Sequence, residues 1–175
     1  GARVGDVDAT AVLFAMRTLG LSADEAQEAL SNEAGLKGIA GIGTDDLRSI
    51  RAAAAEGNER ARMSLDLFVD SVRKFIGAIA TSLGGLDGLI FSGGIGENSP
   101  DIRAQCLDAL DYMGITIDSR RNDSCTGAQA LISATSSAVP VYVVPTDEER
   151  VVAHFTRRVV EEQRDLAPEE MEFAL

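Results

Sequence analysis

The sequence predicts a helix-rich α/β fold built on a small sheet. Two apolar runs, 86–92 and 139–144, each pass through a glycine or proline turn into a helix start. Around them, apolar residues recur at helical spacing, most extensively over 59–83. The two strand–turn–helix units, 86–113 and 139–164, place both turns at the carboxyl edge of one sheet. That edge is where open α/β sheets bind ligands.

Residues 1–8 read as a loop. Asp8 caps a helix over 9–19 with Val12, Leu13, Met16 and Leu19 apolar, and Gly20 stops it. Ser22 caps a short helix through Leu30, with Asp24 and Glu25 suited to its positive end. Residues 31–44 hold four glycines and read as a connector with little regular structure. Thr44 or Asp45 starts the next helix, which carries Leu47, Ile50 and the alanines 52–55 and ends at Gly57. In 59–83, Ala61, Leu65, Phe68, Val72, Phe75 and Ile79 alternate steps of four and three. Met63, Leu67, Val69 and Ile76 widen that stripe, so this helix is expected to be buried on more than one side.

The strand 86–92 stops at Gly93, Gly94 and Gly96. Asn98 or Ser99 then offers an N-cap, Pro100 suits the first helical position, and Asp101 complements the helix dipole. The helix expected over 100–113 buries Ile102, Cys106, Ala109, Leu110 and Met113, and Gly114 terminates it. A short strand at 115–117, a polar loop at 119–127 and an edge strand at 130–133 follow. The run 139–144, with Pro140 near its start, leads through Pro145 into Thr146-Asp147-Glu148-Glu149. That is a capping-box pattern with Thr146 as N-cap, opening a helix to about Arg164. The acidic tail 165–175 is expected to fray.

The chain has 175 residues, 45% hydrophobic and 25% charged, which fits one soluble domain with its own core. A net charge of −12 argues against a nucleic-acid partner, though not against a small phosphorylated ligand held by local dipoles, arginines or a metal. No apolar run is long enough for a membrane span, and no signal-peptide pattern opens the chain. It begins with Gly, which reads as a processed product or a piece of a longer protein. Cys106 and Cys125 have no metal spacing. Cys106 falls on an apolar helix face as a core thiol, and a reducing cytoplasm is the default location. His154 is the only histidine, which argues against a histidine metal site or a Ser-His-Asp triad within this chain.

The glycines at 93, 94 and 96 let the backbone turn sharply and let a ligand approach the main chain. No Gly-Lys-Ser/Thr follows, so this is not a Walker A loop, and Ser99 stands at the last glycine of a dinucleotide fingerprint. Spacing alone leaves both a phosphate-handling loop and an ordinary turn open. Three further positions carry paired readings. Arg3, beside Gly5, can clamp a carboxylate or phosphoryl group, or be a solvated terminal arginine. Asp46 and Arg48 can accept from a ribose hydroxyl and stack on a base, or be a cap and an exposed first-turn ion. Glu148 can hold Mg²⁺ directly or through water, or simply complement the helix dipole.

Five segments, in order, resemble the C-terminal half of the acetate kinases. They are Arg-Val-Gly-Asp-Val-Asp (3–8), Asp-Leu-Arg (46–48), Gly-Gly-Leu-Asp-Gly-Leu-Ile-Phe-Ser-Gly-Gly-Ile-Gly-Glu-Asn-Ser (84–99), Gly-Ile-Thr-Ile-Asp (114–118) and Val-Pro-Thr-Asp-Glu-Glu (144–149). The resemblance implies an actin-like ATPase (ribonuclease H-like) fold with a mixed sheet, of the acetate- and sugar-kinase, chaperone and actin superfamily. It implies that 1–175 is a C-terminal nucleotide-binding and dimerisation domain, with the carboxylate-binding domain outside these residues. Gly94, Ile95, Gly96 and Asn98 would line the adenine and ribose pocket, facing Asp46, Leu47 and Arg48. Glu148 would position Mg²⁺, and Arg3 would stabilise the transferring phosphoryl group.

The implied activity is reversible phosphorylation of acetate by ATP, in a cytoplasmic homodimer. Propionate or butyrate kinase is the near alternative, and a non-catalytic module dimerising through 59–83 is the distant one. The sequence departs from the family at Ala9, where proline is usual, and at Leu47, where an aromatic is frequent; the second bears on base stacking. Alone, these residues are expected to bind nucleotide weakly and catalyse nothing.

Overall fold

The structure is a computed structural model that describes residues 1–164, so the tail expectation at 165–175 lies outside the described residues. The N-terminal segment is pinned along its backbone. Val4 N donates to Leu30 O (2.9 Å) and Ala34 N to Ala2 O (2.9 Å). Gly35 makes this possible: it sits at φ +58°, and a Cβ there would collide with the carbonyl oxygens of Arg3 and Gly1.

The first two helices follow the sequence signals. Asp8 caps α1 (Ala9–Leu19), and Gly20 closes it in the left-handed conformation. Ser22 and Glu25 form a full capping box on α2 (Ala23–Asn32). Residues expected to be irregular instead hold α3 (Gly35–Ala40), which buries Leu36 and Ala40 against Ile50 and Ala61. Here packing outweighs the poor helix propensity of glycine. Asp46, not Thr44 or Asp45, caps α4 (Leu47–Ala55).

The long helix α5 (Glu59–Leu83) starts at Asn58 and ends at Gly84, within the expected bounds. It is not buried all round. Ala61, Ser64, Val69 and Ala80 face inward, against α3, α4 and the next helices, while Met63, Leu67, Phe75, Ile79 and Leu83 are exposed. Phe68, Val72 and Ile76, with the exposed Phe75, Ile79 and Leu83, line an open apolar groove beside the first strand, while Leu65 packs into the core.

Strands β1 (Leu89–Phe91), β2 (Ala130–Leu131) and β3 (Val141–Val143) form a mixed sheet in the order β1-β3-β2. β1 runs parallel to β3, pairing Leu89 with Val141 and Phe91 with Val143, and β2 is the antiparallel edge. Both turns therefore leave the same end of the sheet, as the sequence predicts. Ile115, Ile132, Val139, Val141 and Val143 make the core beneath it, with Leu107, Leu110 and Cys125. The expected strand at 115–117 is reduced to one bridge, Ile117 to Ser133.

The region after β1 differs from expectation in three ways. The glycine turn is itself a helix, α6 (Gly93–Asn98), starting straight from Ser92. The helix from Pro100 stops early: α7 is Pro100–Leu107, because Asp108 is extended and Ala109 takes φ 64°. The chain resumes as a 3₁₀ turn, Asp111–Met113, closed by Gly114. The expected polar loop at 119–127 begins with α8 (Ser119–Ser124), capped by Asp118 and burying Asn122. The last helix, α9 (Glu148–Arg164), is capped by Asp147, whose Oδ1 accepts from Arg150 N (2.9 Å). Thr146 is not its cap, because Thr146 is bonded elsewhere.

The side chain of Arg103 is fully buried. Its Nη1 donates to Gly96 O (2.7 Å) and Glu97 O (3.1 Å), its Nε to Asn122 Oδ1 (2.9 Å), and its Nη2 to Asn122 O (2.9 Å) and Cys125 O (2.7 Å). Burial draws its pKa below the usual arginine range. No carboxylate bonds it among the described residues, so it works as a multi-pronged donor to carbonyls rather than as half of an ion pair. Arg103→Met would leave several of those acceptors unpaired at roughly 1–3 kcal/mol each, so a loss on the order of 3 kcal/mol is expected in urea unfolding.

Cys106 and Cys125 are both buried and unpaired, and burial pushes the Cys106 thiol up to about 11. At neutral pH it holds its proton, and the thiolate is the reactive form. Alkylation by iodoacetamide, followed by mass spectrometry, is expected to modify Cys106 only after unfolding.

Candidate functional site

A cleft of about 440 Å³ opens between the start of α4 and α6. Asp45, Asp46, Leu47, Arg48 and Arg51 form one wall; Gly94, Ile95, Asn98 and Ser99 form the other. It thus gathers six of the residues singled out in the sequence.

Each wall is held locally. Asp46 accepts from Arg48 N (3.3 Å), Arg48 Nε (3.2 Å) and Ser49 Oγ (3.0 Å). The Ser49 hydroxyl first, then Arg48, hold its carboxyl below the ordinary 3.8, so it is ionised at neutral pH. The Arg48 side chain is 90% exposed, with its Nε held by Asp46. Leu47 lines the cleft while packing against the core between α4 and α5. Across the cleft, Asn98 Nδ2 donates to Gly94 O (3.0 Å), which fixes the amide on α6. Ile95 is wedged against the core of α5 and α7. Arg51 pairs with Asp101 (2.8 Å) and so ties α4 to α7.

Three expected site residues lie elsewhere. Gly96 is not in this cleft. A Cβ there would meet Phe91 at 3.4 Å, its carbonyl is held by Arg103, and it borders the apolar groove instead. Arg3 is exposed on the N-terminal segment, with no side-chain partner among the described residues. Glu148 is the exposed first residue of α9. The apolar groove, about 690 Å³ between α5, β1 and α6, offers a ligand few polar groups, and Arg103, which also lines it, commits its guanidinium to carbonyls.

Glu97 was not singled out in the sequence, and it joins the two turns. Its Oε1 accepts from Gly93 N (2.9 Å), Thr146 N (2.8 Å) and Thr146 Oγ1 (3.0 Å). The anion at the glycine turn is therefore the protein's own carboxylate. The bonds from the Thr146 amide and hydroxyl, then from Gly93, hold it below the ordinary 4.5. The legible sign was a carboxylate four residues after Gly93, inside the turn. Arg103 could have been noticed as a charge at i, i+4 to Leu107, on the apolar face of α7.

The acetokinase family model matches residues 1–154. The chain belongs to the acetokinase family. It is 42% identical over 161 residues to an acetate kinase of Clostridium botulinum, covering 91% of this chain and 40% of that one. The crystal structure of Porphyromonas gingivalis acetate kinase superposes with a TM-score of 0.84 at 38% identity, over 91% of this chain and 40% of that one. A propionate kinase from Francisella tularensis gives 0.74 at 31% identity, over 85% and 37%. The fold is the actin-like ATPase fold of the acetokinase family, helix-rich with a small mixed sheet. The chain spans about 40% of the length of the curated relatives it matches.

Among the described residues, no group of three or more His, Cys, Asp or Glu side chains is arranged to hold a metal ion, and no helix is long and apolar enough to cross a membrane. Mg²⁺ can be held by one carboxylate supplemented by phosphates and water, a donor type that the exposed Glu148 side chain offers.

Asp46 and Glu97 both have folded-state pKa values below their ordinary ones. The stability they lend is fully present above the ordinary values and is lost as pH falls through the folded ones. Urea midpoints are expected to decline below about pH 5, and less steeply in Glu97→Gln, which lacks one of the linked protonations.

Proposed function

We propose that this chain is the nucleotide-binding and dimerisation domain of an acetate kinase, which with the rest of its protein interconverts ATP and acetate with ADP and acetyl phosphate. The observation that carries this reading is the cleft that sets Asp46, Leu47 and Arg48 opposite Gly94, Ile95 and Asn98. The family membership supports it.

The cleft suits the nucleoside end of ATP. Its two arginines are already countered, Arg48 by Asp46 and Arg51 by Asp101, so it offers little net positive charge to a triphosphate. It offers instead an exposed guanidinium face for a base, a carboxylate to accept from ribose hydroxyls, and the backbone of Gly94 and Ile95 against which a flat group can lie. The phosphates would run toward Arg3 and Glu148.

A carboxylate oxygen of acetate attacks the γ-phosphorus in line, the bond to the β–γ bridging oxygen breaks, and ADP leaves. Catalysis of this kind is mostly positioning and charge neutralisation. Arg3 would donate to the transferring phosphoryl oxygens, and Glu148 would hold Mg²⁺ beside them. The bound ion would screen phosphate charge. No cleft residue meets the acyl acceptor in this reading, so the choice among acetate, propionate and butyrate is made outside the cleft. The exposed apolar face of α5 supports a homodimer, and two buried unpaired thiols fit a cytoplasmic location.

The whole protein, assayed for hydroxamate-trapped acyl phosphate with ATP and Mg²⁺, is expected to turn over acetate. Arg3→Ala is expected to lower kcat by about 10²–10³-fold, with a much smaller change in the KM for ATP. Absence of acyl phosphate from acetate, propionate and butyrate alike would overturn the reading.

A further inference from the structure

The two turns at the end of the sheet carry different halves of the proposed ATP site. The turn after β1 carries Gly94, Ile95 and Asn98 on α6. The turn after β3 carries Glu148 at the start of α9. The strand ladder holds them together only as far as Val144 N to Phe91 O (2.9 Å), with Ser92 Oγ donating to Val144 O (2.7 Å). Beyond that point the hydrogen-bonded link among the described residues is one atom, Glu97 Oε1, which meets Gly93 N on one side and both the amide and hydroxyl of Thr146 on the other.

Thr146 stands two residues before Glu148. The bond to its amide fixes the main chain there, and the bond to its hydroxyl fixes the rotamer. Glu97 is itself anchored, because its carbonyl accepts from Arg103 Nη1 (3.1 Å) and Gly127 N (3.2 Å). Charge-assisted bonds of this type are the stronger ones.

We propose that Glu97 is a positioning residue that sets Glu148 relative to the nucleoside wall, so that Mg²⁺ and nucleotide are bound as one unit. The inference rests on the ATP-site reading above. Glu97 acts through Thr146 rather than by touching the metal or the phosphates. All three donors converge on Oε1, and Oε2 takes no hydrogen bond among the described residues. Glutamine can therefore keep the clamp, with its carbonyl in the place of Oε1 and its amide nitrogen in the place of Oε2. A charge acting directly on Mg²⁺ would not survive that change.

The test uses the whole protein in wild-type, Glu97→Ala, Glu97→Gln and Thr146→Val forms. Asn58→Ala, which removes the α5 cap, serves as a stability control. Two readouts are taken: the Mg²⁺ concentration for half-maximal rate together with the KM for ATP, and the melting-temperature shift produced by ATP with and without Mg²⁺. Glu97→Ala is expected to raise the Mg²⁺ requirement by about tenfold or more, as loss of a partner behind a metal ligand commonly does. The KM for ATP rises with it and the Mg²⁺-dependent part of the melting shift shrinks. Thr146→Val moves in the same direction by less, and Glu97→Gln recovers most of the loss.

The proposal is overturned if Glu97→Ala behaves like Asn58→Ala, less stable but with an unchanged Mg²⁺ requirement. It is equally overturned if Glu97→Gln is as impaired as Glu97→Ala. Should Glu97→Ala not fold, an unchanged Mg²⁺ requirement in Thr146→Val overturns it. A wild type that makes no acyl phosphate but keeps a Mg²⁺-dependent ATP shift removes only the proposed reaction, and the same variants are then judged by that shift. A wild type with no ATP shift removes both.

Discussion

The buried guanidinium of Arg103 donates to main-chain carbonyls of Gly96, Glu97, Asn122 and Cys125 and to the side chain of Asn122. Those acceptors belong to the end of α6, to α8 and to the residue that closes α8. Short helices leave their last carbonyls unpaired, and a buried unpaired carbonyl is costly. One side chain on α7 satisfies the ends of two neighbouring short helices at once. With α6 fixed in this way, Gly94, Ile95 and Asn98 face α4, and the Glu97 side chain can reach Thr146. The cleft and the clamp both follow from a cation whose bonds are all to carbonyls among the described residues.

Charge is distributed accordingly. The chain carries a net charge of −12, and both arginines that line the cleft are paired with an acid. Asp46 meets Arg48 and Asp101 meets Arg51. The paired arginines leave the cleft little free positive charge, which supports the proposed placement of a base and a sugar there rather than a triphosphate. Arg3 and Glu148, which have no ion pair among the described residues, sit outside it on the N-terminal segment and at the start of α9.

Elements with local signals were legible in the sequence. Asp8, Ser22 with Glu25, and Gly84 mark helix ends through contacts a few residues away, and those helices formed as expected. The parallel placement of β1 and β3 followed from two apolar runs, each feeding a helix. What escaped was set by distant partners. α3 exists because Leu36 and Ala40 find Ile50 and Ala61, despite its glycines. α8 reads as a polar loop until Asn122 meets Arg103, 19 residues earlier. Thr146 looks like a cap because its real partner, Glu97, is 49 residues away, and Asp147 takes the capping role instead. The same holds for the cleft: local patterns nominated Asp46, Arg48 and the glycines, but only the tertiary structure separates Gly96 from Gly94.

The parallel pairing of β1 with β3 also has a temporal side. These strands are joined by a crossover from 92 to 140, so their ladder forms only after a long loop has closed. By contrast, α3, α4 and α5 follow one another with short connections and pack directly together. Local contacts assemble faster than distant ones. The α4 wall can therefore be in place while the α6 wall is still unsupported. The recognition surface would then be completed late in folding, when Glu97 captures Thr146 and joins the two turns.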